Sequence, residues 1–209
     1  MSLYSAEEFR RRALRQVGEP EGLDWADHGD VLMNPGFADQ LQQIKLRDAA
    51  VLVPVIDDGP DARMILTQRT SKLRKHSGQV AFPGGAIDPE DTSAEAAALR
   101  EAEEEIGLKP GFVETIARLP DYKTFTGFSI TPVMAVVKPG FELTINPDEV
   151  DHVFEVPLSF LMNGENHILD SRTWDGGERF FYRMPYENWN IWGVTAGILH
   201  TAWERLYAW

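Results

Sequence analysis

Residues 78–108 read GQVAFPGGAIDPEDTSAEAAALREAEEEIGL. The segment combines a glycine turn at 82–85 with a following stretch that predicts an α-helix over about 93–106, because its alanines are strong helix formers. Thr92, followed three residues later by a glutamate, fits a capping box at the start of this helix. Gly107 fits its end. The stretch therefore predicts a tight turn that runs directly into a helix.

The predicted helix places Glu101, Glu104 and Glu105 on one face, because they are spaced i, i+3 and i+4. Like charges at this spacing repel, by roughly 0.2–0.5 kcal/mol per pair on an exposed helix. The helix dipole also disfavours anions near the C-terminal end. A bound hard cation removes this conflict, since carboxylates and backbone carbonyls suit Mg²⁺. A solvated acidic face is the alternative, and the preceding glycine turn favours the metal site.

Composition limits the kinds of function that the chain could have. Its 209 residues suit one domain, or one domain with an appendage. A formal net charge of −13 argues against a general nucleic-acid binder but leaves an anionic small substrate open, because local charge can oppose the total. The absence of cysteine excludes disulfides and cysteine-ligated zinc. With no secretory signal and no apolar run of membrane-span length, we expect a cytoplasmic protein that binds no membrane.

A basic segment precedes the acidic helix. Residues 62–87 contain no acid, and they carry six basic side chains: Arg63, Arg69, Lys72, Arg74, Lys75 and His76. Residues 88–105 contain eight acids and one base, Arg100. Metal-assisted attack on a diphosphate needs cations for the substrate oxygens and carboxylates for the metal. Solvated loop charges are the alternative for the basic residues.

The rest of the chain is interpreted as an N-terminal arm, residues 1–47, and a domain, residues 48–209. The arm holds an amphipathic helix over 4–17. Apolar patterning predicts strands at 49–56, 64–68, 112–119 and 128–137, a hairpin of 167–174 with 179–184, and a closing helix over 194–207. Six aromatic residues are predicted to lie in the core rather than in a base-stacking site: Trp174, Phe180, Phe181, Tyr186, Trp189 and Trp192.

The glycine turn and helix resemble the Nudix box of the Nudix hydrolases, which cleave nucleoside diphosphates linked to another moiety. The resemblance rests on residues 100–107, Arg-Glu-Ala-Glu-Glu-Glu-Ile-Gly, and on the upstream Gly85. In one departure, Asp91 stands where the family usually has a glutamate, and eight residues rather than seven separate it from Arg100. This leaves open whether Asp91 orients the arginine, as its counterpart in the family does.

The segment before the box narrows the resemblance to the coenzyme A pyrophosphatase branch. It is carried by Leu66-Thr67-Gln68-Arg69-Thr70, Leu73-Arg74, His76, Gly78 and Phe82-Pro83-Gly84-Gly85. That branch also tends to have an aspartate and a longer spacer in its box. The resemblance implies a Nudix-type α/β/α sandwich with a mixed central sheet, here with a helical N-terminal arm. It also implies hydrolysis of coenzyme A to 3′,5′-ADP and 4′-phosphopantetheine.

The implied metal site would bind Mg²⁺ or Mn²⁺. Glu101 and Glu105 are the first candidates for ligands, followed by Glu104. The carbonyl of Gly85 could complete the site, because a glycine lets backbone approach a metal closely. The cations would neutralise the diphosphate and lower the pKa of a bound water.

The remaining roles divide between proton transfer and substrate binding. Either Glu104 or Glu149 would take the proton from water, and the sequence leaves both open. Arg100 would orient a box glutamate. Three basic residues would bind phosphate oxygens or the 3′-phosphate: Arg69, Arg74 and His76.

Three other readings are weighed against coenzyme A hydrolysis. ADP-ribose is an alternative substrate, whereas NADH pyrophosphatases usually carry a zinc-binding cysteine set that this chain lacks. A Nudix-fold binding module without turnover is disfavoured, because such modules commonly lose the box glutamates retained here as Glu101, Glu104 and Glu105. The N-terminal arm could also serve a homodimer contact.

Overall fold

The computed structural model describes residues 2–15, 29–71, 78–174 and 177–208. Its helices are α1 (Ala6–Arg15), α2 (Asp30–Met33), α3 (Ala38–Gln43), α4 (Ala94–Ile106), α5 (Leu158–Leu161) and α6 (Val194–Leu206). Its strands are β1 (Arg47–Ile56), β2 (Arg63–Arg69), β3 (Val80–Ala81), β4 (Gly84–Ala86), β5 (Val113–Arg118), β6 (Tyr122–Lys123), β7 (Phe128–Val137), β8 (Val150–Pro157), β9 (Ile168–Trp174), β10 (Gly177–Tyr186) and β11 (Trp189–Trp192). None of the helices in these ranges is long and apolar enough to cross a membrane.

The central sheet is built around β1. Its main path runs β3-β2-β1-β7-β5, with β4 paired to β1, β6 to β7 and β8 to β2. β1 is parallel to β7 and antiparallel to β2 and β4, so the sheet is mixed. β1 and β2 confirm the predicted strands at 49–56 and 64–68 and form an antiparallel hairpin in which Val55 pairs with Met64. Short strands β3, β4 and β6 were not predicted, because two or three residues give no readable alternation.

Helices cover both faces of the central sheet, which explains the unbroken apolar run of β1. Ala50 and Leu52 pack with α4 on one face. Val53 and Val55 pack with α1 and α6 on the other. The predicted α/β class, with a mixed central sheet and a helix near the N-terminus, is therefore confirmed.

A second, antiparallel sheet of order β11-β10-β9 packs on the domain through α6. Met184 and Ile191 of this sheet are fully buried. The predicted core placement is wrong for Trp174 and Phe180, which are 36% and 39% exposed. Side chains of a strand point alternately to its two faces, so a small sheet covered on one face leaves aromatic residues at the surface.

Ser93 is the N-cap of helix α4, and the predicted cap at Thr92 is wrong. The Ser93 hydroxyl accepts a hydrogen bond from the Ala96 N–H at 3.2 Å. Glu95, the expected capping-box partner, instead makes two 2.6 Å hydrogen bonds with Arg118 of β5. This ion pair fixes the first turn of the helix against the sheet. The two candidate caps are adjacent hydroxyl residues, so the sequence pattern alone could not separate them.

The capping contact predicts a contrast between two neighbouring substitutions. Ser93→Ala should lower the free energy of unfolding by about 1 kcal/mol, because it removes an N-cap hydrogen bond. Thr92→Ala is the matched control and should change it by less than about 0.5 kcal/mol. Urea unfolding followed by circular dichroism measures both. A larger loss for Thr92→Ala would contradict the assigned cap.

Candidate metal centre

Three carboxylates from two parts of the chain meet beside α4. Glu101 and Glu105 lie one turn apart on the helix, and Glu149 lies in the loop before β8. One carboxylate oxygen from each residue lies within 4.8 Å of those of the other two. Glu105 is buried, with 2% of its side chain exposed, and Glu101 is 16% exposed. A fully solvated acidic face is therefore wrong for these two residues.

Backbone hydrogen bonds hold the loop that carries Glu149 against the helix. The N–H of Asn146 donates to the carbonyl of Glu105 at 2.9 Å. Carbonyls in the last turn of a helix have no partner within it, so the loop satisfies an otherwise open acceptor. The N–H of Thr70, just after β2, donates to the carbonyl of Glu149 at 2.9 Å. These contacts fix the loop between the helix end and the end of β2.

The glycine turn approaches the carboxylates more closely than other residues could. Gly84 has a φ of +156°, and a Cβ there would lie 2.4 Å from the carbonyl oxygen of Ala50. Its N–H donates to Oε2 of Glu105 at 3.2 Å. A Cβ on Gly85 would lie 2.6 Å from the carboxyl carbon of Glu101. Gly84 is thus required for the close packing of the turn against β1, whereas a side chain at Gly85 would push the Glu101 carboxylate out of its position.

Asp91 holds the side chain of Arg100 in place. Asp91 accepts two hydrogen bonds from Arg100, at 3.1 Å from Nε and 2.8 Å from Nη2. The same guanidinium donates to Glu101 Oε1 at 2.9 Å and to Glu104 Oε2 at 3.1 Å. The Arg100 contact lowers the pKa of Asp91. Asp91 therefore holds Arg100 in spite of the eight residues between them, and Arg100 in turn contacts Glu101 of the cluster.

Burial perturbs the carboxylates of the helix. Burial raises the pKa of Glu105 to about 7, and the neighbouring Glu101 and Glu149 add to the effect. The nearby Arg69 and the Gly84 N–H act in the opposite direction. Burial also raises the pKa of Glu101. Strongly perturbed groups of this kind are typical of functional sites.

Of the other expected site residues, Arg69 contacts the carboxylate cluster and Glu104 does not belong to it. Arg69 lies at the end of β2 and donates to Glu105 Oε1 at 3.2 Å, a contact that the sequence did not reveal. Glu104 lies outside the group of three and is 56% exposed, with its carboxylate on Arg100. Arg74 and His76 fall outside the described residues.

The residues present fit a hard divalent cation. Carboxylate oxygens are the preferred ligands of Mg²⁺ and also suit Mn²⁺. Three such oxygens lie within 4.8 Å of one another, and glycine backbone borders them. Repulsion among the acids in a partly buried place is what a bound cation would relieve.

Comparison with known proteins points to one family. Residues 45–181 match the family model described as NUDIX domain. An uncharacterized Nudix hydrolase, NudL, from Escherichia coli strain K12 is 46% identical over 154 residues, 73% of this chain and 79% of that protein. Its counterpart from Citrobacter koseri is 45% identical over 159 residues, 76% and 82% of the two chains. A MutT/nudix family protein from Enterococcus faecalis superposes with a TM-score of 0.49 and 16% identity, covering 98% of this chain and 75% of that one.

The raised pKa of Glu105 predicts how metal-free stability depends on pH. Between the ordinary value of 4.5 and about 7, the folded state binds more protons at this site than the unfolded state, so stability falls as pH rises. Glu105→Gln removes this pH dependence, because glutamine does not titrate. Relative to wild type, the variant should gain on the order of 3 kcal/mol between pH 4.5 and 8.

Chemical unfolding of metal-free protein across this pH range tests the expectation. Glu104→Gln is the control, because its side chain is exposed. Its difference from wild type should stay within about 0.5 kcal/mol at every pH. A pH-independent difference between Glu105→Gln and wild type would contradict the account.

Proposed function

The chain belongs to the Nudix hydrolase family, and from that premise we propose that it hydrolyses the diphosphate of coenzyme A or a derivative. The products are 3′,5′-ADP and 4′-phosphopantetheine, or its acylated form. The observation that carries the reaction type is the group formed by Glu101, Glu105 and Glu149 beside the glycine turn. The observation that supports coenzyme A is the segment over residues 66–85, which resembles the signature of that branch.

In this proposal Mg²⁺ or Mn²⁺ is held by Glu101 and Glu105, with the backbone of Gly85 beside them. When bound, the cation neutralises the diphosphate and lowers the pKa of a coordinated water. Arg100 positions Glu101 through their 2.9 Å hydrogen bond, and Asp91 in turn holds Arg100. The chain thus fixes the geometry of its ligands before substrate arrives.

Glu149 is the proposed general base. Its carboxylate lies within 4.8 Å of the oxygens of Glu101 and Glu105, whereas Glu104 is directed to Arg100. Water oxygen forms a bond to one phosphorus, the bridging P–O bond breaks, and the leaving phosphate takes the bonding electron pair. The water proton passes to the Glu149 carboxylate.

Substrate recognition is proposed for the basic segment that follows β2. Arg69, Arg74 and His76 would bind phosphate oxygens, which favours an anionic small molecule in a chain of net charge −13. ADP-ribose is the alternative substrate. Its exclusive cleavage would agree with the proposed metal centre but would count against coenzyme A as the substrate. The absence of cysteine supports a reducing, cytoplasmic setting.

Product analysis tests the proposal. Purified protein with Mg²⁺ or Mn²⁺ should convert coenzyme A to 3′,5′-ADP and 4′-phosphopantetheine faster than it cleaves ADP-ribose, as identified by mass spectrometry. Glu105→Gln should reduce kcat/KM by at least about 100-fold, since it removes a metal ligand. Exclusive cleavage of ADP-ribose would overturn the assigned substrate.

The proposed base gives a second prediction, on the rate of the reaction. Glu149→Gln should lower kcat by about 10²–10⁴-fold, because proton transfer is lost. Glu104→Gln is the matched control and should show a smaller loss of rate. The opposite ranking would make Glu104 the base.

A further inference from the structure

The side chain of Arg69 reaches the carboxylate cluster from the end of β2, where the pairing of β2 with β8 is irregular. Gln68 pairs with His152 of β8, but Arg69 pairs with Val150, so β8 has one extra residue at this point. The bulge therefore lies in β8, and bulges of this kind are common beside active sites. Here the Arg69 side chain meets Glu105, which lies 36 positions later in the chain.

The Glu105 carboxylate has a donor on each of its oxygens. Nη1 of Arg69 donates to Oε1, and the N–H of Gly84 donates to Oε2, both at 3.2 Å. The side chain of Glu105 is 2% exposed, so water has little access to it. A cation that takes Oε1 of Glu105 as a ligand must therefore displace Arg69 or share that oxygen with it.

The two partners differ in their freedom to move. Glu105 is enclosed by the helix, the glycine turn and the loop that carries Asn146. The Arg69 side chain is 27% exposed, and its guanidinium is carried by a flexible aliphatic chain. The arginine is the partner that can leave, and its guanidinium supplies a positive charge where three carboxylates converge.

We propose that Arg69 is an internal stand-in for the metal: it neutralises Glu105 in the metal-free protein and is displaced when a divalent cation binds. This inference rests on the proposed function, because it requires the cluster to bind a metal. Release of Arg69 from Glu105 then couples metal loading to a free guanidinium beside the diphosphate site, where it would bind substrate. Metal binding and substrate binding should then be ordered, with the metal first.

Calorimetric titration of Mn²⁺ without substrate tests the inference directly. Arg69→Met should bind Mn²⁺ about tenfold more tightly than wild type, because the competing cation is gone. Arg69→Lys keeps the charge and should remain within about threefold of wild type. Arg63→Met is the matched control on the same strand, since Arg63 pairs with Asp58 and Glu155 instead, and it should leave the affinity unchanged.

The kinetics of substrate cleavage provide a second test of the Arg69 variants. Arg69→Met should raise KM for the cleaved substrate more than it lowers kcat. The variant lacks the guanidinium that would bind the substrate oxygens once the metal has displaced it. Circular dichroism checks that each variant is folded. If Arg69→Met is unfolded, Arg69→Gln takes its place in the titration, since it also removes the charge.

The titration distinguishes failure of the stand-in role from failure of the proposed metal centre. Equal or weaker Mn²⁺ binding by Arg69→Met, with normal binding by wild type, would overturn the stand-in role and leave the metal centre intact. Tighter binding by Arg63→Met as well would show a general charge effect and would also overturn it. Failure of wild type to bind Mn²⁺ would overturn the metal centre itself, and the stand-in role with it.

Discussion

The structure depends on one buried carboxylate. Burying a charge is costly unless it is paired and hydrogen-bonded, and the Glu105 carboxylate has one donor on each of its oxygens. Its carboxylate takes donors from Arg69 and Gly84, and its backbone carbonyl takes the N–H of Asn146. A single residue therefore joins β2, the glycine turn, α4 and the loop before β8. The position of Glu149 follows from these contacts.

The same arrangement links stability to function. Crowded, partly buried acids weaken the metal-free fold, which is reflected in the raised pKa of Glu105. A divalent cation bound as proposed would stabilise the folded state by an amount that rises with the logarithm of its affinity, and it would thereby offset the cost of the crowded acids. Arg100 and Asp91 limit that cost by fixing Glu101 on the rim. A strained and preorganised site of this type is expected where activity has been favoured over maximal stability.

The sequence was sufficient where the signal is local and strong. The apolar run of β1 and the spacing of Glu101 and Glu105 predicted a buried strand and two neighbouring acids on a helix. It was insufficient where tertiary contacts decide: Arg69 on β2 meets Glu105 on α4 across 36 positions of the chain. Ser93 rather than Thr92 caps α4, and the exposure of Trp174 depends on which face of a small sheet is covered.

The most direct test is an anomalous difference map from crystals of the protein grown or soaked with Mn²⁺. The account predicts a peak bounded by the carboxylates of Glu101, Glu105 and Glu149, beside the backbone of Gly85. It further predicts that the Arg69 guanidinium has moved away from Glu105. A peak elsewhere, or the absence of one in crystals that retain activity with Mn²⁺, would contradict the central claim that this cluster is the metal centre.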